Sequence, residues 1–519
     1  MRQKKENTMT NKNQREIDLY MVFLPLITIM LISSTIFLYP DAARDVISFL
    51  WNIMVNKLGF FYMLLGLAMV GIALYLAFSK YGNIRLGKRE TPRYSNFSWG
   101  AMIFTSTMAA DILYWSLIEW TYYYTASPFA HASLTLSEKQ DWAASYPLFH
   151  WGITPWAFYI VPAVAFGYML HVRGTRTKRI SESCRPILGR HTDGIFGKAI
   201  DIFCIIGLLA GTATTFSLAT PLLSQSVSRI FGLEQSMSLT IGILLSIAAI
   251  YTLAVLFGFK GISYLANIAV CSFCILLALI FFASDKIFMI EQAITGIGKM
   301  LHNFLPMSTW MDPLRLSGEG GVGFPQSWTI FYWAYWIAWF VATPFFIATI
   351  SEGRTIKNTV LGGMFSGILG TYLSFIVLGY FGLHLEVSGA YSAATAIASG
   401  AEPSVVIVEI LSYIPYSKLV LAVLCVTMIA FYSSTFDAIT LIISFYCQKS
   451  GDGQELPTKS LRAFWSVVFI ILPIALLLIK CKLNQLQSLS ILAAFPLGLI
   501  IILIVASFFK SVKERNETA

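Results

Sequence analysis

Aromatic residues crowd the stretch SWTIFYWAYWIAWFVATPFF at positions 327–346, in which four residues are tryptophan. If this stretch is helical, one face carries the rings at offsets 0, 4, 7, 8 and 11, which are Trp328, Tyr332, Tyr335, Trp336 and Trp339. Ring faces attract cations, and they suit a trimethylammonium group because that group has no hydrogen to donate. The stripe therefore indicates a site for a quaternary ammonium compound.

An aromatic belt at the membrane interface is the alternative interpretation of this stripe. A belt accounts for Trp328, which lies near the end of the apolar stretch. Trp336 and Trp339 would lie about 12–17 Å deeper, at a helical rise of about 1.5 Å per residue. A deep indole needs a partner for its N–H group or a ligand for its face, which favours the ligand site.

Two other apolar stretches are expected to add rings to the same cavity. The sequence FHWGITPWAFY contains Trp151, Trp156 and Tyr159, and Tyr122 follows the sequence IFTSTMAADILYW. Rings from three helices would then form one cage, with each desolvated ring contributing about 2 kcal/mol to cation binding.

Asp111 is the most unusual residue of the third apolar stretch. A carboxylate inside a membrane costs roughly 2.5–3.5 kcal/mol on insertion scales, which makes it a functional candidate. It would pair with a cationic substrate, take up a proton, or contribute to a cation site. The alternative is a structural carboxylate bonded to a loosened backbone. His150 is expected to orient its neighbours, and Asp437 is expected to be structural.

The composition shows that a membrane must surround these residues. The 519-residue chain is 56% hydrophobic and only 12% charged, and its mean hydropathy is +0.69. A soluble domain of this length needs more polar surface. Apolar stretches long enough to cross a bilayer recur along the chain. The twelve predicted spans are approximately 20–39, 59–79, 98–118, 144–170, 199–223, 238–258, 264–284, 327–350, 359–382, 419–446, 460–480 and 487–509.

The distribution of charge predicts the topology. Lys and Arg cluster after the second, fourth and eighth spans, whereas residues 382–417 contain neither. This positive-inside pattern places both termini in the cytoplasm and argues against nucleic-acid binding despite the net charge of +9. The charged segment before the first span lacks a small-residue cleavage site, which predicts a retained span.

The third and eighth spans are expected to be broken helices. One clusters small and hydroxyl residues around Asp111, and the other contains Pro344 directly after Thr343. Irregular backbone inside a membrane is tolerated where it lines a cavity. The third and eighth spans stand five apart in the order of spans. This spacing fits two inverted five-helix repeats, each of which begins with a substrate-facing helix. Close packing of small residues is the alternative. Surface helices are predicted at 287–304 and 391–414.

The motifs WTIFYWAYWIAW, ISEGRT and FHWGITPWAFY resemble the betaine/carnitine/choline transporter family, and the resemblance covers nearly the whole chain. It implies an all-α polytopic membrane protein with a leucine-transporter-like core, a homotrimer, and a substrate such as carnitine, glycine betaine, γ-butyrobetaine or choline. The carnitine/γ-butyrobetaine exchangers look most similar. Their cage and outer ring match Tyr122, Trp151, Tyr335, Trp336 and Trp328. Departures from the exchangers at three positions leave the substrate open.

Three cage positions depart from the exchangers. Tyr335 replaces one tryptophan of the family's usual pair and adds a hydroxyl group. Trp339 matches the betaine carriers, whereas the exchangers have tyrosine there. Thr343 replaces the exchangers' methionine.

The same resemblance bears on ion coupling. Ala269 stands where the sodium-independent exchangers have arginine, and FYSSTFDA resembles a sodium-site hydroxyl pair. Ser434 and Thr435 would supply two oxygens, and backbone carbonyls near Thr105 and Met108 would complete the site. Oxygen ligands suit a hard cation such as Na⁺. The alternative is that these hydroxyls bond back to their own helix. Coupling to Na⁺, to H⁺ or to exchange stays open, and no other cofactor is expected.

The predicted organisation is one transporter domain at 20–509 between cytoplasmic tails at 1–19 and 510–519. Two peripheral spans precede the repeats, at about 98–284 and 327–509. A secondary transporter in the bacterial cytoplasmic membrane is favoured because the sequence has no GxxxxGK[ST] motif for ATP. The alternative is a membrane sensor for the same ligands. An enzyme is disfavoured because the six histidines are scattered.

Overall fold

The computed structural model describes residues 17–106, 109–126, 128–129, 134–175, 179–257, 259–317, 322–448, 457–479, 481 and 483–518. Regular structure in these ranges is helical, apart from two isolated β-bridges. The α-helices in chain order are α1 Leu19–Leu38, α2 Pro40–Asn52, α3 Gly59–Phe78, α4 Asn96–Ser106, α5 Ala110–Thr125, α6 Leu136–His150, α7 Ile153–Gly167, α8 Ile180–Ser183, α9 Arg185–Leu188, α10 Ile195–Phe231, α11 Met237–Phe257, α12 Phe259–Ala283, α13 Lys286–His302, α14 Phe304–Thr309, α15 Ile330–Ala338, α16 Thr343–Ile350, α17 Ile356–Ser374, α18 Tyr380–Val387, α19 Ala393–Ala398, α20 Pro403–Ser412, α21 Ser417–Tyr446, α22 Lys459–Leu478 and α23 Leu483–Thr518.

Shorter helical turns extend several of these helices. The π-helical turns are Ile53–Lys57, Tyr168–Val172, Pro325–Thr329 and Phe375–Gly379, and the 3₁₀ turns are Lys80–Asn83 and Gly189–Asp193.

The described part of the chain contains ten helices long and apolar enough to cross a membrane, or twelve if two bent pairs are each one span. Each of the twelve predicted spans overlaps one of these helices or pairs. The protein is therefore a multi-pass membrane protein. Some helices are longer than predicted: α10 extends to Ile195–Phe231, beyond the apolar stretch at 199–223. Helical hydrogen bonding continues past the point where hydropathy falls.

The two bent pairs are the third and eighth spans, which confirms the prediction that these two are broken. Helices α4 and α5 meet at an angle of 68°, and the segment Pro325–Ala338 meets α16 at 53°. Pro344 lies in the first turn of α16, where its missing N–H cannot bond to the preceding turn. Residues 339–342 form tight turns between the halves, with the Ala342 N–H donating to the Trp339 carbonyl at 3.2 Å.

The broken spans lie against other spans. Helix α5 packs against α6 and α10, α15 packs against α23, and α16 packs against α7. The side chains of α15 are all buried, from Ile330 to Ala338. This arrangement places Tyr332, Tyr335 and Trp336 of the aromatic stripe inside the bundle.

The surface helices differ from prediction in one case. The first is α13, which Asp285 caps by accepting from the N–H groups of Ile287 and Phe288 at 3.0 Å each. The second predicted helix, at 391–414, is wrong as a single element because it is divided into α19 and α20. Gly400 has φ = +89°, which ends one helix, and Pro403 begins the next.

Candidate functional site

Three of the predicted ring residues meet around a fourth, Trp336 on α15. Its ring centroid lies 4.8 Å from that of Tyr159, 5.4 Å from Trp151 and 5.8 Å from Trp156. All four side chains are buried. The Trp336 indole donates to the His150 carbonyl oxygen at 3.2 Å. A belt at the membrane interface does not explain rings from separate helices that face one another inside the protein.

A two-residue interruption between α6 and α7, at Trp151 and Gly152, presents Trp151 to this cluster. Gly152 occupies the break, where a Cβ atom would meet the Leu148 carbonyl oxygen and, at 2.5 Å, the Tyr372 hydroxyl oxygen. The Trp151 carbonyl accepts from the Thr371 hydroxyl at 2.7 Å, which joins the break to α17. Only glycine fits this close approach of backbone and side chain.

Tyr122 and Trp328 form a second ring cluster. Their ring centroids are 4.7 Å apart. Trp328 also lies 5.5 Å from Tyr123 and 6.3 Å from Trp115. The resemblance assigns Tyr122 to the central cage and Trp328 to an outer ring, and the structure brings these two into direct contact.

Tyr335 and Asp111 form a hydrogen-bonded pair. The Tyr335 hydroxyl donates to the Asp111 carboxylate and lies 2.5 Å from the Thr215 hydroxyl oxygen on α10. Asp111 also accepts from the Ile112 N–H at 3.0 Å. It is buried in the first turn of α5, where the positive end of the helix dipole favours a negative charge. The Tyr335 ring lies 5.5 Å from Phe331.

Trp339 lies at the break of the eighth span, against α10. A Cβ atom at Gly211 would lie 3.0 Å from its indole nitrogen, so the absence of a side chain there admits the ring. Within the described residues, the indole N–H groups of Trp339 and Trp156 have no hydrogen-bond partner.

A buried carboxylate behind the cage, Glu119, escaped the sequence analysis. It accepts from the Trp151 indole N–H at 2.8 Å and from the Tyr123 hydroxyl at 2.7 Å. Glu119 could have been found in the same way as Asp111, because both are carboxylates in a largely apolar stretch. It was missed because the predicted third span ended at residue 118, whereas α5 continues to Thr125.

His150 connects this carboxylate to the eighth span. Its Nδ1 lies 2.8 Å from the Tyr123 hydroxyl oxygen, and its Nε2 lies 3.1 Å from the Thr329 hydroxyl oxygen. Both ring nitrogens are engaged, and the ring stacks on Tyr332 at 4.6 Å. These contacts fit the expected orienting role.

The predicted ion-site residues give a mixed result. The hydroxyls of Ser434 and Thr105 donate to carbonyls of their own helices, at 2.9 Å to Phe431 and 3.1 Å to Met102. Thr435 is half-buried on α21, and Met108 lies outside the described residues. Self-bonded hydroxyls agree with the alternative considered above, and the sodium site stays a prediction.

The structure also shows the positions of Ala269 and Asp437, two residues considered above. Ala269 is buried on α12. Asp437 on α21 pairs with Arg462 on α22, and Arg462 also donates to the Tyr251 hydroxyl at 3.2 Å. An ion pair that joins two spans supports the structural role expected for Asp437. Among the described residues, no group of three or more His, Cys, Asp and Glu could hold a metal ion.

Comparisons with known proteins agree with this architecture. A family model described as betaine/carnitine/choline family transporter matches residues 20–517. The glycine betaine transporter OpuD of Bacillus subtilis is 28% identical over 482 residues, which is 92% of this chain and 91% of the relative. A carnitine transporter of Acinetobacter baumannii is 27% identical over 431 residues, covering 82% of this chain and 76% of the relative.

The helices, the broken spans and the buried rings define a polytopic membrane protein with an aromatic site inside its bundle. The match over nearly the whole length identifies it further: the chain belongs to the betaine/carnitine/choline family of transporters.

Proposed function

We propose that the protein is a secondary transporter that carries a quaternary ammonium compound across the bacterial cytoplasmic membrane. One observation supports this most strongly: Trp151, Trp156 and Tyr159 surround Trp336 with centroid separations of 4.8–5.8 Å. Ring faces bind a cation that cannot donate a hydrogen bond, and they bind it best where water is excluded.

The substrate belongs to the group that includes glycine betaine, carnitine, γ-butyrobetaine and choline. Relatives named as glycine betaine and carnitine transporters support this range. Asp111 and Glu119 add two buried carboxylates to the helix that borders the rings. In their ionised forms these carboxylates favour the ammonium end of every member of the group, and they disfavour the carboxylate of betaine and carnitine.

Transport proceeds by alternating access around the cage. In this proposal, the repeats at about 98–284 and 327–509 are related by inversion, and the broken spans open each repeat. The bends of 68° and 53° at corresponding positions of the two halves support it. Broken helices at the midplane are the usual location of the substrate in such transporters.

Sodium coupling is part of the proposal, with Ser434 and Thr435 on α21 and Thr105 on α4 as oxygen donors. The resemblance supports it, because Ala269 lacks the positive charge that the exchangers' arginine supplies in place of sodium. Both termini would face the cytoplasm, and the functional unit would be a homotrimer, as the resemblance implies.

Uptake into proteoliposomes tests the function directly. Purified protein would be reconstituted and offered radiolabelled carnitine, glycine betaine, choline and γ-butyrobetaine, with protein-free liposomes as the blank. We expect uptake of at least one compound above the blank. Binding without uptake would indicate a sensor, and neither binding nor uptake of any of the four would contradict the proposal.

A further inference from the structure

A hydrogen-bonded network behind the cage connects its two central indoles. The Trp151 N–H donates to Glu119 Oε2 at 2.8 Å, and the Trp336 N–H donates to the His150 carbonyl at 3.2 Å. Tyr123 bridges Glu119 and His150, with separations of 2.7 and 2.8 Å. One network therefore supports both rings, and Glu119 is its only acidic member among the described residues.

The inference requires Glu119 to be ionised when the cage holds a cation, and each of its oxygens takes part in one hydrogen bond. An indole N–H can only donate, so Oε2 must accept from Trp151. Oε1 accepts from the Tyr123 hydroxyl. The described structure pairs no Lys or Arg with Glu119, and the His150 Nδ1 lies 3.4 Å from its Oε1. A cation on the far side of the Trp151 ring would offset this charge.

We propose that Glu119 is a specificity-determining residue that makes the cage select for charge, acting through the Trp151 N–H without touching the substrate. This inference rests on the proposed function. A carboxylate that accepts from an indole N–H pushes electron density toward the ring, which strengthens the attraction of its face for a cation. The same ring without this carboxylate would bind mainly by shape and apolar contact.

The inference predicts a difference between a charged ligand and an uncharged one of the same shape. Choline has an isostere in which a tert-butyl group replaces the trimethylammonium group, and glycine betaine has the corresponding tert-butyl acid. Ligand shape is unchanged within each pair, so the ratio of the two affinities measures how strongly the cage responds to positive charge. The pair used in the experiment consists of an ammonium compound that the unsubstituted protein binds and the tert-butyl isostere of that compound.

Glu119→Gln is the central variant, because an amide oxygen still accepts from Trp151 while the charge is removed. Affinities would be measured by competition in detergent-solubilised full-length protein. We expect the affinity for the ammonium ligand to fall on the order of tenfold. The affinity for the tert-butyl isostere should stay within about twofold, as expected if only the electrostatic contribution is lost. Equal losses for both ligands would show a merely structural role and overturn the proposal, as would no loss for either.

Two further variants make the test specific. Trp151→Phe keeps a ring and removes the N–H that Glu119 accepts. In this background, adding Glu119→Gln should not further reduce the charge ratio, which is the affinity for the ammonium ligand divided by that for its tert-butyl isostere. Trp51→Phe removes a buried indole N–H on α2, outside the ring cluster, that has no partner in the described structure, so it should leave the ratio unchanged. If Glu119→Gln does not fold, a charge ratio unchanged in Trp151→Phe overturns the proposal. Failure of the unsubstituted protein to bind any ammonium ligand would instead overturn the proposed function, and this inference with it.

Discussion

The Tyr335 hydroxyl on α15 donates a hydrogen bond to the Asp111 carboxylate on α5, although the two residues are 224 positions apart in the chain. This bond joins the two broken spans beside their breaks. The resemblance places Tyr335 where the family usually has tryptophan, so its hydroxyl is a departure from the usual ring pair, and Asp111 is the carboxylate that makes the third span unusual. The two unusual residues thus contact each other.

Breaking this pair should destabilise the protein. Tyr335→Phe keeps the ring but leaves a buried carboxylate with one donor fewer, which costs about 1.5–3 kcal/mol for a bond to a charged group. Combining it with Asp111→Asn should cost less than the sum of the two single changes, because both remove the same contact. Thermal unfolding of the purified variants measures this, and strictly additive effects would show that the two side chains act independently.

Asp111 should also influence which ammonium compound is preferred. A carboxylate there attracts a purely cationic amine and repels the carboxylate of a zwitterion, so Asp111→Asn should weaken choline binding about tenfold more than betaine binding. Binding titrations with both ligands measure the ratio.

A proton-carrying Asp111 is the competing possibility. Asp111→Asn would then flatten the response of transport to external pH while leaving binding largely intact. If both the ligand ranking and the pH profile of Asp111→Asn match the unsubstituted protein, the residue has only a structural role.

The ring at position 336 should dominate affinity. Trp336→Ala removes one desolvated ring, worth about 2 kcal/mol, which corresponds to roughly a thirtyfold loss of affinity. Trp336→Phe should retain part of the binding because a ring face remains. Tyr264→Ala is a suitable control, since this ring is 68% exposed on α12. Normal binding of all four ligands by Trp336→Ala would show that the cage lies elsewhere.

The break between α6 and α7 should be equally sensitive. Gly152→Ala introduces a Cβ atom that clashes with the backbone carbonyl oxygen of Leu148, so we expect the backbone at Trp151 to shift and ligand affinity to fall at least tenfold. Gly242→Ala is the matched control, because no atom lies within 4 Å of the added methyl group and the residue is inside a helix. Unchanged affinity in Gly152→Ala would show that the ring position tolerates the shift.

Sodium dependence tests the hydroxyl pair on α21. Uptake into proteoliposomes should rise with an inward sodium gradient, and Thr435→Ala should weaken that rise because one oxygen ligand is lost. Ser433→Ala serves as the control, since the Ser433 hydroxyl is buried and bonded to the Ile429 carbonyl at 2.9 Å. Equal uptake in sodium and potassium buffers would exclude a sodium-coupled mechanism.

Hydropathy alone determined the number and approximate position of the spans. Every backbone polar group in lipid must be bonded within its own helix, so each crossing leaves a long apolar stretch in the sequence. Pro344 and the small residues around Asp111 likewise marked the two breaks, because their effects on the backbone are local. Gly400 and Pro403 carried a local signal as well, and overlooking it produced the one wrong surface helix.

The partners of the site residues were decided only by the tertiary structure. Periodicity shows that Trp336 lies on a ring stripe, but the packing of α15 against α7 and the break at Gly152 decide that Tyr159, Trp156 and Trp151 surround it. The bond between Glu119 and Trp151 depends on how α5 meets that break. Such contacts arise from side-chain packing between helices distant in the chain, and no local pattern of residues encodes them.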